Sequence, residues 1–510
     1  MLLRTLVRPL LLGLGLGLGL TASGAAPPDD ARAAAPAERA LDAEEEARIA
    51  HLASRATFGA TPELIAEIRA QGRARWLARQ LAPETIADPE LARRLAIYPA
   101  LGMDSSELLA GYPLQGSAAD STTAVGRPAR VPLEVASEIL TRAVHARAQL
   151  AEVMSDFWLN HFNVDAGDGP ARHAIVAYVR DAIRPHALGR FADLLRATAE
   201  SPAMLYYLDN YLSSAPGRGR GRARGLNENY ARELMELHTL GVDGGYTQAD
   251  VVEVARVFTG WTITPPRSGA LEHVFVAARH DGGEKTVLGR RIAPAGKDEG
   301  LELLDVLARE PATASFVARK LVSRFVADVP PEALVARARD VFLDSDGDVA
   351  RVVAAILGSS EFYAAASRRA KVKSPLELIA SALRAARADV RLAPRAVRLV
   401  AALGQPMLRA EAPTGWPETA DAVVTAGGMA ARFDAAWLVA SDGVPGVRVD
   451  VARWARLLGD GGTEALLADL LPGVPPSSAT RAALDEARAG GATPALLAAL
   501  VLASPEFQQQ

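Results

Sequence analysis

Residues 132–162 read PLEVASEILTRAVHARAQLAEVMSDFWLNHF, and apolar side chains return along them every three or four positions. That period belongs to a helix with one buried face. The spacing predicts a single long helix from Pro132 to about Phe162, closing in an aromatic last turn of Phe157, Trp158, His161 and Phe162. Composition extends the reading to the whole chain. Of 510 residues, 49% are hydrophobic but 5% are aromatic, and alanine is abundant, which favours helices packed through small side chains over sheets. The expected fold is mainly α: a large multi-helix bundle or helical-hairpin array with few or no strands. The length leaves room for two helical subdomains, a main domain over 46–380 and a C-terminal helical region over 381–510.

Punctuation along the chain supports helices. Thr61-Pro62 and Ser374-Pro375-Leu376-Glu377 each combine a cap with a first-turn proline, while Asp104 to Arg130 is polar and read as a loop. DSDGDVARVV at 344–353 resembles a calcium loop only loosely: its glycine is misplaced and Ala355 stands where a bidentate glutamate is needed, so its aspartates are read as helix caps. SAPGRGRGRARG at 214–225 is low-complexity and is expected to be a disordered insertion, with contact to an anionic polymer or lipid surface as the sharper alternative.

The amino terminus, MLLRTLVRPLLLGLGLGLGLTASGAAPPDD, places Arg4 and Arg8 before a short apolar run and then small residues. This is the layout of a cleaved secretory signal over 1–25, followed by a flexible leader over 26–45, and it predicts a periplasmic or secreted protein with no stable membrane anchor after cleavage. Zero cysteines exclude disulfides, thiolate metal sites and a cysteine nucleophile. A formal net charge of −4 gives no basic footprint, so nucleic acid is not an expected partner. Neither a G-x-S-x-G elbow nor a phosphate-cradling glycine loop is present.

Chemistry-bearing residues concentrate in NENYARELMELHTLG, residues 227–241. On an ideal helix Asn229, Arg232, Glu233 and Glu236 share one face, with Tyr230 on another and His238 at the border. The plainer reading is a solvated face held by an Arg232–Glu236 pair. Context favours chemistry. A glycine turn and the Thr247/Asp250 cap lead into a second helix carrying Glu253 and Arg256, and a hairpin of this kind can bury carboxylates with tuned proton affinities. Glu233, Glu236, His238, Arg232, Tyr230 and His161 are therefore the catalytic candidates. Asn160, Asn163, Asn227, Asn229, Tyr246, Glu253, Arg256, Trp261, His280 and Asp281 are the candidate substrate contacts. Two glutamates three apart are usually too close to flank a glycosidic bond, so Glu253 or Asp209 would have to join them. No cofactor is expected. The histidine spacing fits neither a zincin nor a di-iron bundle, and a divalent metal on Glu233-x-x-Glu236 with a remote histidine is the alternative.

Several segments, in this order, resemble a large bacterial family catalogued as domain of unknown function 1800. They are HLASRATFGATPE at 51–63, DFWLNHFNVD at 156–165, MLYYLDN at 204–210, the run from Asn227 to Thr262, HDGGEKTVLG at 280–289, PATASFVARKLVSRFVADVPP at 311–331, DGDVARVVAAILGSSEFY at 346–363, KVKSPLELIASALRA at 371–385, GQPM at 404–407 and PTGWPE at 413–418. The resemblance implies an exported, mostly helical protein, often encoded beside a second exported family, domain of unknown function 1501, which is a candidate partner. It implies no reaction. One departure is Glu310, where similar chains carry histidine. The residue types point to a carboxylate-based hydrolase or lyase acting on an envelope or extracellular polysaccharide. The alternative is a non-catalytic envelope assembly or binding partner of the co-encoded exported protein, with the polar cluster serving as a hydrogen-bond network.

Overall fold

The computed structural model describes residues 30–114, 125–167, 169–218, 225–424 and 426–510. The chain is mainly α. Helix α1 (Asp30–Arg55) runs through the stretch read as a leader, and Glu44, Glu45 and Glu46 near its middle are held by Arg368, Arg73 and Arg69. Helix α2 (Pro62–Gln71) starts at the Thr61 cap as expected, its hydroxyl accepting from Leu64 N. The polar stretch after Met103 is not all loop: Asp104 and Glu107 close a capping box on α3 (Ser105–Gly111). The segment read as a secretory signal and the residues 219–224 of the arginine-rich insertion lie outside the described residues.

The long helix read over 132–162 is two helices, α4 (Arg130–His145) and α5 (Gln149–His161). The apolar period continues through both, so periodicity does not reveal the break. Partners from elsewhere make it stable. Gln149 Nε2 donates to the Ala143 and Ala146 carbonyls at 3.1 and 2.9 Å, Asp88 accepts from Arg147 N, and Gln80 bridges Arg147 O and Leu150 N. Both backbone groups of Arg147, at the centre of the turn, are thus taken up by side chains.

Further along, α6 (Asn229–Glu233) passes into a π-helical turn at Leu234–Thr239, and α7 (Gln248–Val257) follows from the Thr247/Asp250 capping box. Three short antiparallel pairs are the strands present among the described residues: β1 (Trp261–Ile263) with β2 (His273–Phe275), β3 (Lys285–Val287) with β4 (Arg290–Ile292), and β5 (Asp389–Val390) with β6 (Val447–Arg448). Helix α8 (Pro311–Phe325) begins after Glu310. Asp348 caps α9 (Val349–Leu357), as read from the sequence, and Ser374 caps α10 (Pro375–Ala385) in a box with Glu377. Helix α11 (Ala426–Ala440) packs against α12 (Pro494–Leu502).

One hydrophobic core runs from Ile49 to Phe507 and crosses the boundary drawn at 380 and 381. Helix α10 packs on α4, and the backbone of Lys371 and Lys373 pairs with that of Gln510 and Gln508. No helix among the described residues is long and apolar enough to cross a membrane.

Candidate functional site

The residues nominated from the sequence fall into four separate places. The first is the hairpin surface. Thr239 Oγ1 donates to Leu234 O at 2.6 Å inside the π turn, and this widened turn upsets the 100° projection beyond Glu233. Arg232 bonds Glu228 and Gln248 and leaves Glu236 to Tyr246, whose hydroxyl lies 3.5 Å away. Partial burial, then the charge of Glu236, pushes the Glu233 carboxyl upward. Asn227 works locally: its Oδ1 accepts from Asn229 N, and its Nδ2 reaches Asp209 O at 3.4 Å.

The second place is the core. Tyr230 is buried edge-on to Phe258, and burial raises its phenol well above the ordinary range. His161 Nε2 donates to the His238 carbonyl at 3.1 Å, and both rings are enclosed with Phe162. Burial, reinforced by the charge of Lys320, drives both imidazoles far down, His238 to about 3, so neither accepts a proton near neutrality. Trp261 is fully buried and stacked with His273; a Cβ at Gly300 would collide with its ring. It is core and offers no face to a sugar.

The third place is a closed ion network. Arg256 holds Glu253 at 2.7 Å and Asp281 at 2.9 Å, and its hydrogen bonds bring the Asp281 carboxyl down to about 2. Beneath it His280 Nε2 and Lys285 Nζ both bond the buried Glu299. These groups satisfy one another, and Glu253 is tied to Arg256 and the Thr286 backbone, with no bond to Glu233.

The fourth place gathers the features of a site. Helix α5 carries Glu152, Asp156 and Asn160 at four-residue intervals, a polar stripe along one side of the helix. Its lower half faces a cleft that Asp156, Asn160 and Asn163 line together with Arg324 of α8, Glu377 of α10, and Lys371, Gln405, Trp416 and Glu418. A smaller cavity lies on the other side of Asp156, among Glu152, Ser155 and Arg184. Asp156 forms a wall of both.

The groups around Asp156 are engaged. Arg324 Nη1 donates to Glu377 Oε1 at 2.5 Å, and the same oxygen accepts from Gln510 Nε2 at 2.8 Å. Glu377 Oε2 accepts from Ser374 N. Burial works against the Glu377 carboxylate, but the Arg324 charge and these donors outweigh it and hold the group at about 2. Lys371 Nζ bonds Asp328 Oδ1 at 2.5 Å and the Glu418 carbonyl at 3.1 Å. Asp156 differs from all of them. No hydrogen bond acts on its carboxyl; burial raises it to about 7, against the pull of Arg324 and with the charges of Glu377 and Glu418 adding to the rise.

One wall of the cleft is an irregular strap, residues 404–419, clasped by two asparagines. Asn160 Oδ1 accepts from Trp416 N at 2.7 Å while its Nδ2 donates to Trp416 O and Glu418 Oε1. Asn163 Nδ2 donates to the Ala410 and Ala412 carbonyls. Gly415, at φ +73°, lies so close to Asn160 that any Cβ would strike its Oδ1. Both nominated asparagines thus reach the cleft, but as clasps of its wall.

Asp156, Arg324, Glu377 and Glu418 were not nominated from the sequence. The stripe on α5 was the available signal, since Glu152, Asp156 and Asn160 recur at helical spacing. Arg324, Glu377 and Glu418 come from distant segments and meet only in three dimensions. Among the described residues no group of three or more histidine, aspartate and glutamate side chains is arranged to hold a metal ion.

A family model described as "Protein of unknown function (DUF1800)" matches residues 51–509. No curated protein and no solved structure matches the chain. Five of the segments that carry the resemblance converge on the cleft: DFWLNHFNVD brings Asp156, Asn160 and Asn163; the α8 segment Arg324; KVKSPLELIASALRA Lys371 and Glu377; GQPM Gln405; and PTGWPE Trp416 and Glu418.

Proposed function

Since the chain belongs to the DUF1800 family, whose description names no reaction, we propose its function from the cleft: a carboxylate-based enzyme that cleaves glycosidic bonds in an envelope or extracellular polysaccharide. Asp156 is the general acid. A carboxyl that binds its proton with an affinity near pH 7 can deliver it to a leaving oxygen under neutral conditions. Glu418, on the strap, is the second carboxylate, and Trp416 beside it supplies an aromatic wall of the kind that sugars pack against. The observation that carries this reading is a half-buried aspartate, with no hydrogen-bond partner among the described residues, on the wall of the cleft. A structural network would have supplied that partner. A signal segment over 1–25 would place the reaction beyond the inner membrane.

The test is turnover on a panel of envelope and extracellular glycans by the purified chain, its Asp156→Asn variant and its Glu233→Gln variant. Cleavage lost with Asp156→Asn and kept with Glu233→Gln supports the cleft. Activity that survives Asp156→Asn contradicts it.

A second reading, a binding partner for the co-encoded exported protein, draws on α11. There Met429 and Trp437 stand 37% and 38% exposed, two turns apart. If no glycan is cleaved and Trp437→Ala abolishes capture of that protein, this reading replaces the first.

A further inference from the structure

Resting on the reading of the cleft as a glycan-cleaving site, we propose that its substrate is an uncharged, hydroxyl-bearing glycan segment, cut by hydrolysis, and that uronate and sulfated chains are excluded. The argument is the ionic inventory of the wall. Among the described residues that line the cleft, the charged groups are Asp156, Glu377, Glu418, Arg324 and Lys371. Both cations are committed. Arg324 is bonded to Glu377 and feels the charges of Asp156 and Glu418 as well; Lys371 is bonded to Asp328. A carboxylate or sulfate on the substrate would have to break one of these buried pairs or lie unpaired beside carboxylates, and like charges brought together in a desolvated site are strongly unfavourable.

The same inventory selects the reaction. Elimination from a uronate requires a free cation or donor set that neutralises the sugar carboxylate before the neighbouring carbon loses its proton. Neither cation on the wall is free for this. Hydrolysis needs only a proton donor, a carboxylate and water. The Asp156 proton passes to the leaving oxygen as the bond from C1 to that oxygen breaks; water oxygen bonds to C1, and the water proton passes to Glu418. Exchange with solvent restores both groups.

The experiment is calorimetric titration of the Asp156→Asn protein, which holds substrate without turning it over, with neutral gluco-, manno- and galacto-hexasaccharides and with uronate and sulfated hexamers of matched length. Parallel titrations of the wild-type chain at 4 °C guard against a folding defect in the variant. We expect a neutral hexamer to bind at least about tenfold tighter than its charged counterpart at low salt, with the gap closing as salt screens the wall. A uronate or sulfated hexamer that binds equally well or better overturns the inference. Two failures are distinguishable: tight uronate binding with turnover that depends on Asp156 removes the substrate class alone, whereas binding of no hexamer, or turnover by Asp156→Asn, removes the proposed function with it.

Discussion

Two acidic regions of this protein make opposite use of their carboxylates. The hairpin at Asn227–Gly241 is dense in residues that enzymes use, yet Glu233 and Glu236 are partly solvated and Arg232 is occupied by Glu228 and Gln248. The stripe on α5 has far fewer such residues, and one of them, Asp156, stands half-buried on a cleft wall, where burial raises its carboxyl to about 7 and no hydrogen-bond donor among the described residues reaches it. Density of polar residue types is therefore a poor guide to a site. What sets Asp156 apart is a cost that the fold does not relieve, and an unrelieved cost of this kind is a mark of function.

The largest expected contrast is catalytic. Asp156→Asn lowers kcat on the cleaved glycan by about 10²- to 10⁴-fold, the range for loss of a general acid, while Glu233→Gln changes it less than about twofold. Comparable losses from the two would erase the distinction between the regions. Next comes stability. Glu377→Gln leaves the Arg324 guanidinium buried without its counter-charge and is expected to cost about 3–5 kcal/mol by denaturant titration. Asn160→Ala removes the clasp on Trp416 and Glu418 and should cost about 1–3 kcal/mol, with faster proteolysis within residues 404–419 as the local sign. Smallest is Glu233→Gln itself, expected within about 0.5 kcal/mol of the parent. Its sign sharpens the comparison: because the folded carboxyl is raised, stability is lost as pH rises through its folded value, so the amide is the more stable form above that pH.

The regions also separate by pH. His51 and His238 are held by burial at about 3, and His145 and His273 at about 4. The unfolded chain protonates these rings below about pH 6.5 and the folded chain does not, so they subtract stability as pH falls from there towards 3 or 4. Asp156 acts in the other direction. A melting profile of the wild-type chain should fall on the acid side and also weaken between about pH 4 and 7, where the unfolded aspartate is ionised and the folded one is not.

The helical character was legible in the sequence because alanine-rich composition and apolar period are local properties. So were the caps at Thr61, Thr247, Asp348 and Ser374, which depend on residues three apart. The break between α4 and α5 was not, since Gln80, Asp88 and Gln149 supply its hydrogen bonds across the fold while the apolar pattern runs on unbroken. The π turn at Leu234–Thr239 likewise leaves no pattern in residue types, yet it unseats the Arg232–Glu236 pair that helical projection proposes. For the site, Asn160 and Asn163 were found because they lie in an aromatic helix end. Arg324, Glu377 and Glu418 were missed because each looks ordinary in its own segment, and Glu377 reads fully as a capping glutamate, which it also is.

The central claim is that the fold keeps Asp156 protonated and unpartnered near neutrality. The direct measurement is the melting temperature of Asp156→Asn against the wild-type chain from pH 4 to pH 8.5. An aspartate raised to about 7 predicts that the two melt together near pH 4, and that the variant becomes the more stable by roughly 2–4 kcal/mol as pH passes 7, since the amide carries no charge to bury. A variant that is less stable at every pH, or a difference that does not change with pH, would show that Asp156 is an ordinary ionised structural carboxylate and that the cleft is not built around it.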